Sequence, residues 1–131
     1  MTVVTTIVFI VHAATSAWQV VPGIEILPGQ VANITPATGS AWSTHKDSSG
    51  PAGLFPAPLA PSDYFLPGAN LGALLVKDGL NRVQAWQSNT QTIPINTPGQ
   101  LWFVANDTPR RSPGFSDNSG VIAVTVQIVG P

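Results

Sequence analysis

The sequence predicts an all-β protein, an antiparallel β-sandwich of the jelly-roll type. Several short runs of β-branched and apolar residues alternate with turn signals, and no window shows helical periodicity. The 13 Pro and 12 Gly residues favour the same fold class, because both residue types interrupt helices. A chain of 131 residues suits one domain, which we assign to residues 1–131.

The composition argues against several classes of protein. Only 8% of the residues are charged and the net charge is −1, whereas a nucleic-acid binder needs many Lys and Arg to neutralise phosphates. The 44% of hydrophobic residues argue against disorder. Since Cys is absent, a disulfide framework, a thiolate metal site and a Cys nucleophile are excluded. We therefore expect no nucleic-acid partner.

The first strand is predicted in the apolar run near the start, residues 3–14. This run is too short to span a bilayer, so we expect no membrane insertion. No Lys or Arg precedes it, and Thr5, Thr6 and His12 interrupt it, so we expect no clear signal peptide. We interpret residues 3–11 as a strand buried on both faces, because they are mostly β-branched. Localisation is left open between the cytoplasm, with non-classical export, and the cell surface.

The later strands follow in chain order. Residues 23–26 and 30–34 are predicted to pair through a turn at residues 27–29. Further strands are predicted at residues 72–77, 83–87, 92–96, 100–106 and 121–129. In the last of these, alternation places four side chains inward and two outward: Ile122, Val124, Val126 and Ile128 face inward, and Thr125 and Gln127 face outward.

Two irregular stretches, residues 38–71 and 107–120, interrupt the strands. Long loops without regular structure are uncommon in compact domains and tend to be functional, so we expect the two to meet at a site. Trp42, Phe55 and Tyr64 lie in the first stretch, where each ring can either stack on a sugar or anchor the loop. Trp86 and Trp102 lie in strand-like runs and are assigned to the core.

Acidic and amide residues stand at both ends of the second stretch, Asn106-Asp107 at its start and Asp117-Asn118 near its end. Pairing of the flanking strands brings these ends together. Their oxygens are hard donors, and Ca²⁺ accepts about six to eight such ligands in irregular loops. The alternative interpretation is that the four residues only cap turns, which is their commonest role.

The sequence contains no strong catalytic motif. No Gly-x-Ser-x-Gly elbow, phosphate loop or dinucleotide fingerprint is present. His12 and His45 have no second His or Cys at metal-ligand spacing. Asp107 and Asp117 could pair as in a glycosidase, but calcium would hold both ionised and leave no general acid. We expect no enzyme activity.

Several stretches, mostly in the C-terminal half, occur in an order that is typical of one protein family. They comprise residues 72–77, 92–97 and 101–107, then Asp117-Asn118-Ser119-Gly120 and the last strand, with Pro28-Gly29 and Gly50-Pro51-x-Gly53 in order upstream. Over most of residues 18–131 the chain resembles the PA-I galactophilic lectin family. The most specific element is Asn-Asp followed by Asp-Asn-Ser-Gly between two strands. The resemblance implies a galactose-binding-domain-like jelly roll, one Ca²⁺ per subunit that coordinates two hydroxyls of a terminal galactose, and a homo-oligomer, either tetramer or dimer.

The resemblance also implies individual ligands. Asp107 matches a carboxylate ligand that also accepts a sugar hydrogen bond, and Asp117 and Asn118 match two adjacent Asn ligands, so Asp117 adds a negative charge. The backbone carbonyls of Ser43, or of its neighbours Trp42 and Thr44, and of Gly114 complete the calcium set. The His and Gln that hold the sugar in the family are not matched in residues 55–64, where Asp63 or Tyr64 can substitute. The sugar contacts assigned are Asp107, Thr108, Asp117, Asp63, Tyr64 and Ser43.

The sequence therefore predicts a non-enzymatic, calcium-dependent lectin for galactose-containing glycans. A second hypothesis is a structural or interaction module in which calcium fastens the loops and no sugar binds. A glycosidase is the third and least favoured hypothesis.

Overall fold

The computed structural model describes residues 2–131, and these form an all-β protein. The strands in chain order are β1 (Val3–His12), β2 (Gln19–Val20), β3 (Val31–Pro36), β4 (Trp42–Thr44), β5 (Asp47–Ser49), β6 (Leu74–Lys77), β7 (Val83–Ala85), β8 (Ile93–Ile95), β9 (Trp102–Ala105) and β10 (Val121–Val129). A short 3-10 helix, Gly114–Asp117, lies between β9 and β10.

The strands form two antiparallel four-stranded sheets, in the orders β1-β10-β3-β8 and β2-β9-β6-β7, while β4 and β5 form a separate hairpin. The arrangement is consistent with a β-sandwich and confirms the predicted all-β class. Strands β6 to β9 each lie inside a segment predicted from the sequence, and β10 has the predicted bounds.

The core contains buried side chains of both sheets in one cluster. The predicted alternation in β10 is confirmed, since Ile122, Val124, Val126 and Ile128 are all buried and Thr125 and Gln127 are partly exposed. The ring centroids of Phe9 in β1 and Phe103 in β9 lie 5.9 Å apart, so the two sheets are in contact. Trp86 also belongs to the core, as predicted. Within residues 2–131, no helix is long and apolar enough to cross a membrane.

Four local predictions are wrong. Trp102 is only half-buried and lies outside the core cluster. The strand β1 is not buried on both faces: it is the edge of its sheet, and Val4, Val8 and Ile10 are exposed. Residues 23–26 and 30–34 do not pair, because Ile26 bridges Gly99 while β3 pairs with β10 and β8. The stretch 38–71 is not wholly irregular, since it contains the β4–β5 hairpin.

Candidate metal and sugar site

The two irregular stretches meet, as the sequence predicts. Asn106, directly after β9 and fully buried, joins them. Its Oδ1 accepts the Leu66 backbone N–H at 2.9 Å, and its Nδ2 donates to the carbonyl oxygens of Leu66 and Asn70 at 3.0 and 3.1 Å. The side chain of Asn106 is therefore fully used in holding residues 66–70 against the end of β9.

Asp107 follows at the centre of the site and is 1% exposed. Its Oδ1 accepts the Thr108 backbone N–H at 2.7 Å and lies 3.5 Å from Nε2 of His45. Its Oδ2 is buried and has no hydrogen-bond partner within residues 2–131. A buried carboxylate oxygen without a donor is unfavourable, so this atom has an unmet need for a cation or a donor.

Asp117 and Asn118 lie at the end of the 3-10 helix, and in the described part of the chain each also has a buried oxygen without a hydrogen-bond partner. Oδ1 of Asp117 and Oδ1 of Asn118 are both buried and unpartnered among the described residues. Asn118 is oriented by its Nδ2, which donates to the Ala13 carbonyl oxygen at 3.0 Å and so leaves the amide oxygen free. The three side chains predicted as calcium ligands thus each keep one free buried oxygen.

The two predicted backbone ligands have different surroundings. Gly114 lines the site at a φ of +48°, and a Cβ there would lie 2.6 Å from the Thr108 carbonyl oxygen, so this close approach requires glycine. Ser43 lies in β4 beside the acidic segment, because its N–H and C=O pair with those of Ser119, both at 2.9 Å. Its carbonyl oxygen keeps its second lone pair, although Ser43 does not line the cavity described below.

The predicted sugar contacts Asp63 and Thr108 are joined. The Thr108 hydroxyl donates to Oδ2 of Asp63 at 2.9 Å, and the Arg111 guanidinium donates to both oxygens of the same carboxylate. Desolvation acts to raise the pKa of Asp63, but the hydrogen bonds from Thr108, its own backbone and Arg111 outweigh it and hold that pKa below its usual value. Asp63 is therefore a positioning group that ties the first stretch to the second.

Sequence reasoning missed His45. The tip of the β4–β5 hairpin brings its imidazole to the site, where Nε2 lies 2.9 Å from the Tyr64 hydroxyl and the two rings stack at 5.8 Å with an interplanar angle of 8°. His45 and Lys46 both have positive φ, 54° and 63°, as a two-residue hairpin turn of this kind requires. Non-glycine residues in this region are strained, and such strain often accompanies functional sites.

Burial and nearby charges raise the pKa values of two groups at the site, Asp107 and Tyr64. Burial raises the pKa of Asp107 above its usual value, and the charge of Asp117 raises it further. The Thr108 backbone N–H, the Asn118 side chain and the charge of His45 lower this pKa, but they do not outweigh burial. Burial, followed by the charge of Asp107, raises the pKa of Tyr64. Both shifts indicate that the site concentrates negative charge in a poorly solvated place, where a cation would be stabilised.

A cavity of about 150 Å³ opens at these groups. It is lined by His45, Tyr64, Asp107, Thr108, Gly114 and Asp117, with residues 111–113 at its side. Within the described chain, no group of three or more His, Asp or Glu side chains is arranged to hold a metal ion. The predicted ligand set uses only two carboxylates and takes its other oxygens from an amide and from the backbone.

The aromatic residues of the first stretch have three different roles. Trp42 is buried and its Nε1 donates to the Gly72 carbonyl oxygen at 2.9 Å, so it anchors the hairpin. Tyr64 lines the cavity, and Phe55 is 78% exposed at another place. Comparisons with known protein families and with curated proteins found no match to this chain.

Proposed function

We propose that this protein is a calcium-dependent lectin with a jelly-roll sandwich fold that binds galactose-type sugars of glycans. The observation that carries the proposal is the set of free buried oxygens on Asp107, Asp117 and Asn118. Unpartnered buried oxygens are rare in folded proteins, and three on neighbouring residues need a common explanation. We infer that one divalent cation is bound by all three.

The donor chemistry suits calcium better than other ions. Carboxylate, amide and carbonyl oxygens are hard ligands, and the irregular segment 106–120 tolerates the variable geometry of Ca²⁺. Side-chain oxygens of Asp107, Asp117 and Asn118 and backbone oxygens of Ser43 and Gly114 would hold the ion. A bound Ca²⁺ supplies open coordination positions that a vicinal diol can fill.

The chain's own residues would orient the sugar. Asp107 and Asp117 accept hydrogen bonds from hydroxyls, and the Thr108 hydroxyl and the Tyr64–His45 pair line the same cavity. The volume of about 150 Å³ admits a single small ring rather than a long chain. We therefore propose a terminal sugar residue as the ligand, bound without catalysis.

A glycan array, run with millimolar Ca²⁺ and again with EDTA, tests the proposal. Binding to galactose-terminated glycans that EDTA removes supports the lectin, while calcium-raised thermal stability without any glycan signal favours the structural module. Turnover of a chromogenic galactoside is expected to be absent, and its detection would instead indicate a glycosidase.

We also propose a homo-oligomer built on the free edge of β1. This strand contains no charged residue and no Pro, two of the features that usually protect an edge. The backbone N–H and C=O of His12 are taken by the Gln19 side chain at 2.8 and 3.1 Å, while Ala13 N–H bonds to Gly120 on the β10 side. Because alternate residues of an antiparallel strand direct their backbone groups to the same side, Thr6, Val8 and Ile10 present theirs to the open edge.

The open stretch is symmetric about Val8. A register shift between Val3 and Thr5 interrupts the strand at one end, and Gln19 blocks it at the other. An antiparallel twofold pairing with Val8 at the axis would join Thr6 of one copy to Ile10 of the second copy. Two copies paired in this way satisfy the free backbone groups of both edges, and such oligomerisation raises avidity for cell-surface glycans.

A further inference from the structure

Positive charge is scarce in this chain, and two basic residues stand together beside the calcium site. Arg110 and Arg111 are two of only five Lys and Arg residues, and they belong to the segment that forms one wall of the cavity. Two others are engaged in other contacts, Lys77 over two Trp rings and Arg82 with a buried carboxylate. The fifth, Lys46, is followed directly by an Asp at the hairpin tip.

Arg111 is held in a fixed position at the cavity. It is part of the lining, its Nε and Nη2 donate to the Asp63 carboxylate, and its Cζ lies 5.8 Å from the centroid of the Tyr64 ring. A guanidinium has five N–H donors, so three remain after these two bonds, and the side chain is 57% exposed. Because Asp63 and Tyr64 already order this side chain, a ligand that binds to it meets a small ordering cost.

The charge of Arg111 acts on groups that line the cavity. Burial raises the pKa of Tyr64 most, the charge of Asp107 raises it further, and the charge of Arg111 opposes both. Tyr64 and Asp107 both line the cavity. A ligand in contact with these two residues therefore also lies within the field of the guanidinium.

Arg110 adds a second positive charge next to the first. Its backbone N–H donates to the Thr108 hydroxyl at 3.2 Å, so the residue stands between Thr108 and Arg111, which both line the cavity. Its side chain is exposed and forms no ion pair within residues 2–131. The charge of Arg110 is therefore available to a ligand that extends from the cavity.

Calcium would reverse the sign of the charge at this place. The carboxylates of Asp63, Asp107 and Asp117 outnumber the guanidiniums of Arg110 and Arg111 by one, so the metal-free site is slightly negative. A bound Ca²⁺ brings two positive charges and makes the same site positive. A positive site in a partly desolvated cavity attracts an anionic ligand more strongly than a neutral one.

We propose that the preferred ligand is a galactose-type sugar with an anionic group on its exocyclic carbon, an inference that rests on the lectin function proposed above. Two ring hydroxyls bind the ion, while the exocyclic group lies outside the ring and can reach the cavity wall. Arg111 binds this group, because its N–H donors match the oxygens of a carboxylate or a sulfate. Both anions have this chemistry.

Isothermal titration calorimetry in saturating Ca²⁺ compares three sugars. They are methyl β-D-galactopyranoside, its 6-sulfate and the corresponding methyl galacturonoside. We expect at least one anionic sugar to bind about two- to fivefold more tightly than the neutral one, the range for an exposed ion pair. This gain should shrink in 0.5 M NaCl, because salt screens exposed charges. A gain for either sugar identifies the anion, whereas equal or weaker binding of both overturns the proposal.

Three variants test the assignment to the arginines. Arg111→Gln should abolish the gain and leave the affinity for the neutral galactoside within about twofold, and Arg110→Gln should reduce the gain in part. Lys77→Gln is the matched control: it also removes one positive charge, but Lys77 pairs with Trp102 at the end of β9 that is farther from Asp107. A gain that survives Arg111→Gln would mean that the anion binds the calcium ion directly, and it would overturn the role of Arg111.

Circular dichroism checks that each variant folds. Should Arg111→Gln fail to fold, Arg110→Gln decides: a reduced gain supports the proposal and an undiminished gain overturns it. If the wild type binds the neutral galactoside as tightly as the anionic sugars, only the preference for an anion fails. If it binds none of the three sugars in Ca²⁺, the lectin function fails and the preference fails with it.

Discussion

The imidazole Nε2 of His45 lies 3.5 Å from Oδ1 of Asp107, which joins the tip of the β4–β5 hairpin to the end of β9. The same nitrogen is 2.9 Å from the Tyr64 hydroxyl. His45 therefore connects the two irregular stretches and lines the cavity. We expect it to influence ligand binding at the proposed site.

Replacing His45 with Asn tests this role. Asn tolerates positive φ, so the hairpin turn should persist and stability should change by less than about 1 kcal/mol. The ring contacts to Tyr64 and Asp107 are lost, and we expect galactose affinity at saturating calcium to fall about three- to tenfold. Isothermal titration calorimetry measures this, with His12→Asn, a change at an exposed residue of β1, as the control. Unchanged affinity would show that His45 serves the turn alone.

Much of the strand pattern was predictable, because it depends on local alternation and turn residues. Strand β10 shows this best, since its inward and outward residues follow directly from period two. The pairing of Ile26 with Gly99 was not predictable, because the partner is chosen by the core and not by the nearest turn. The exposure of β1 was missed for the same reason: an edge position is a property of the whole sheet.

The candidate site was predictable in part. Asp107, Asp117 and Asn118 could be selected because their residue types and spacing match calcium chemistry. His45 could not be identified from residue spacing, because it is far from Asp107 in the sequence and only the β4–β5 hairpin brings the two side chains together. The hairpin turn was also hidden in the sequence. Its two central residues, His45 and Lys46, have positive φ, but neither is the glycine or asparagine that usually marks such a turn.

Calcium is expected to raise the melting temperature of the protein. An ion that binds only the folded state stabilises it by about 2.7 kcal/mol at a hundredfold excess over Kd, and for a domain of this size that corresponds to roughly 10 °C. The relief of charge between Asp107 and Asp117 adds a physical reason for selective binding to the folded chain. Differential scanning calorimetry in Ca²⁺, in Mg²⁺ and in EDTA measures the effect. Identical curves in all three conditions would contradict the site.

Asp78 is expected to control stability in acid. Burial alone would raise its pKa, but hydrogen bonds from the backbone N–H groups of Arg82 and Leu80, and the Arg82 side chain, lower it below 3.8. Since the folded pKa is below the unfolded one, this stabilisation is present above about pH 4 and is lost as the pH falls through the folded pKa. We expect Asp78→Asn to remove about 1–2 kcal/mol at pH 7 and less at pH 3.

Urea unfolding of the wild type and Asp78→Asn at both pH values measures this difference. Asp47→Asn, at an exposed position of β5, is the matched control and should have little effect at either pH. An Asp78→Asn deficit that is equally large at pH 3 would show that the network owes its stability to packing and not to the charge.

The open edge of β1 predicts a specific change in oligomeric state. Val8 is 64% exposed and lies at the centre of the free stretch, so Val8→Lys should leave the fold intact and separate the paired copies. Leu80→Lys places the same charge at a residue that is 67% exposed in the turn after β6, away from this edge. Analytical ultracentrifugation should show smaller particles for Val8→Lys alone. A Val8→Lys variant that sediments as the wild type does would exclude this edge as the interface.

Asp117→Asn is expected to have opposite effects with and without calcium. The charge of Asp117 raises the pKa of Asp107, which indicates repulsion between the two carboxylates in the metal-free protein. Its removal should stabilise that form slightly, by a few tenths of a kcal/mol. The variant keeps an oxygen donor but loses one charge, so calcium affinity should fall modestly while galactose binding persists at saturating calcium.

Asp107→Ala should behave differently, because it deletes a ligand and an acceptor for a sugar hydroxyl together. Asp107 lies in a loop beyond β9, so the β-sheet circular dichroism spectrum should survive the change. Galactose binding is expected to disappear even at high calcium, whereas Asp117→Asn retains it. Paired calorimetric titrations of calcium and galactose against the wild type and both variants make the comparison. If Asp107→Ala binds galactose as the wild type does, the sugar does not reach the protein through this carboxylate and its ion, and the calcium-bridged mechanism fails.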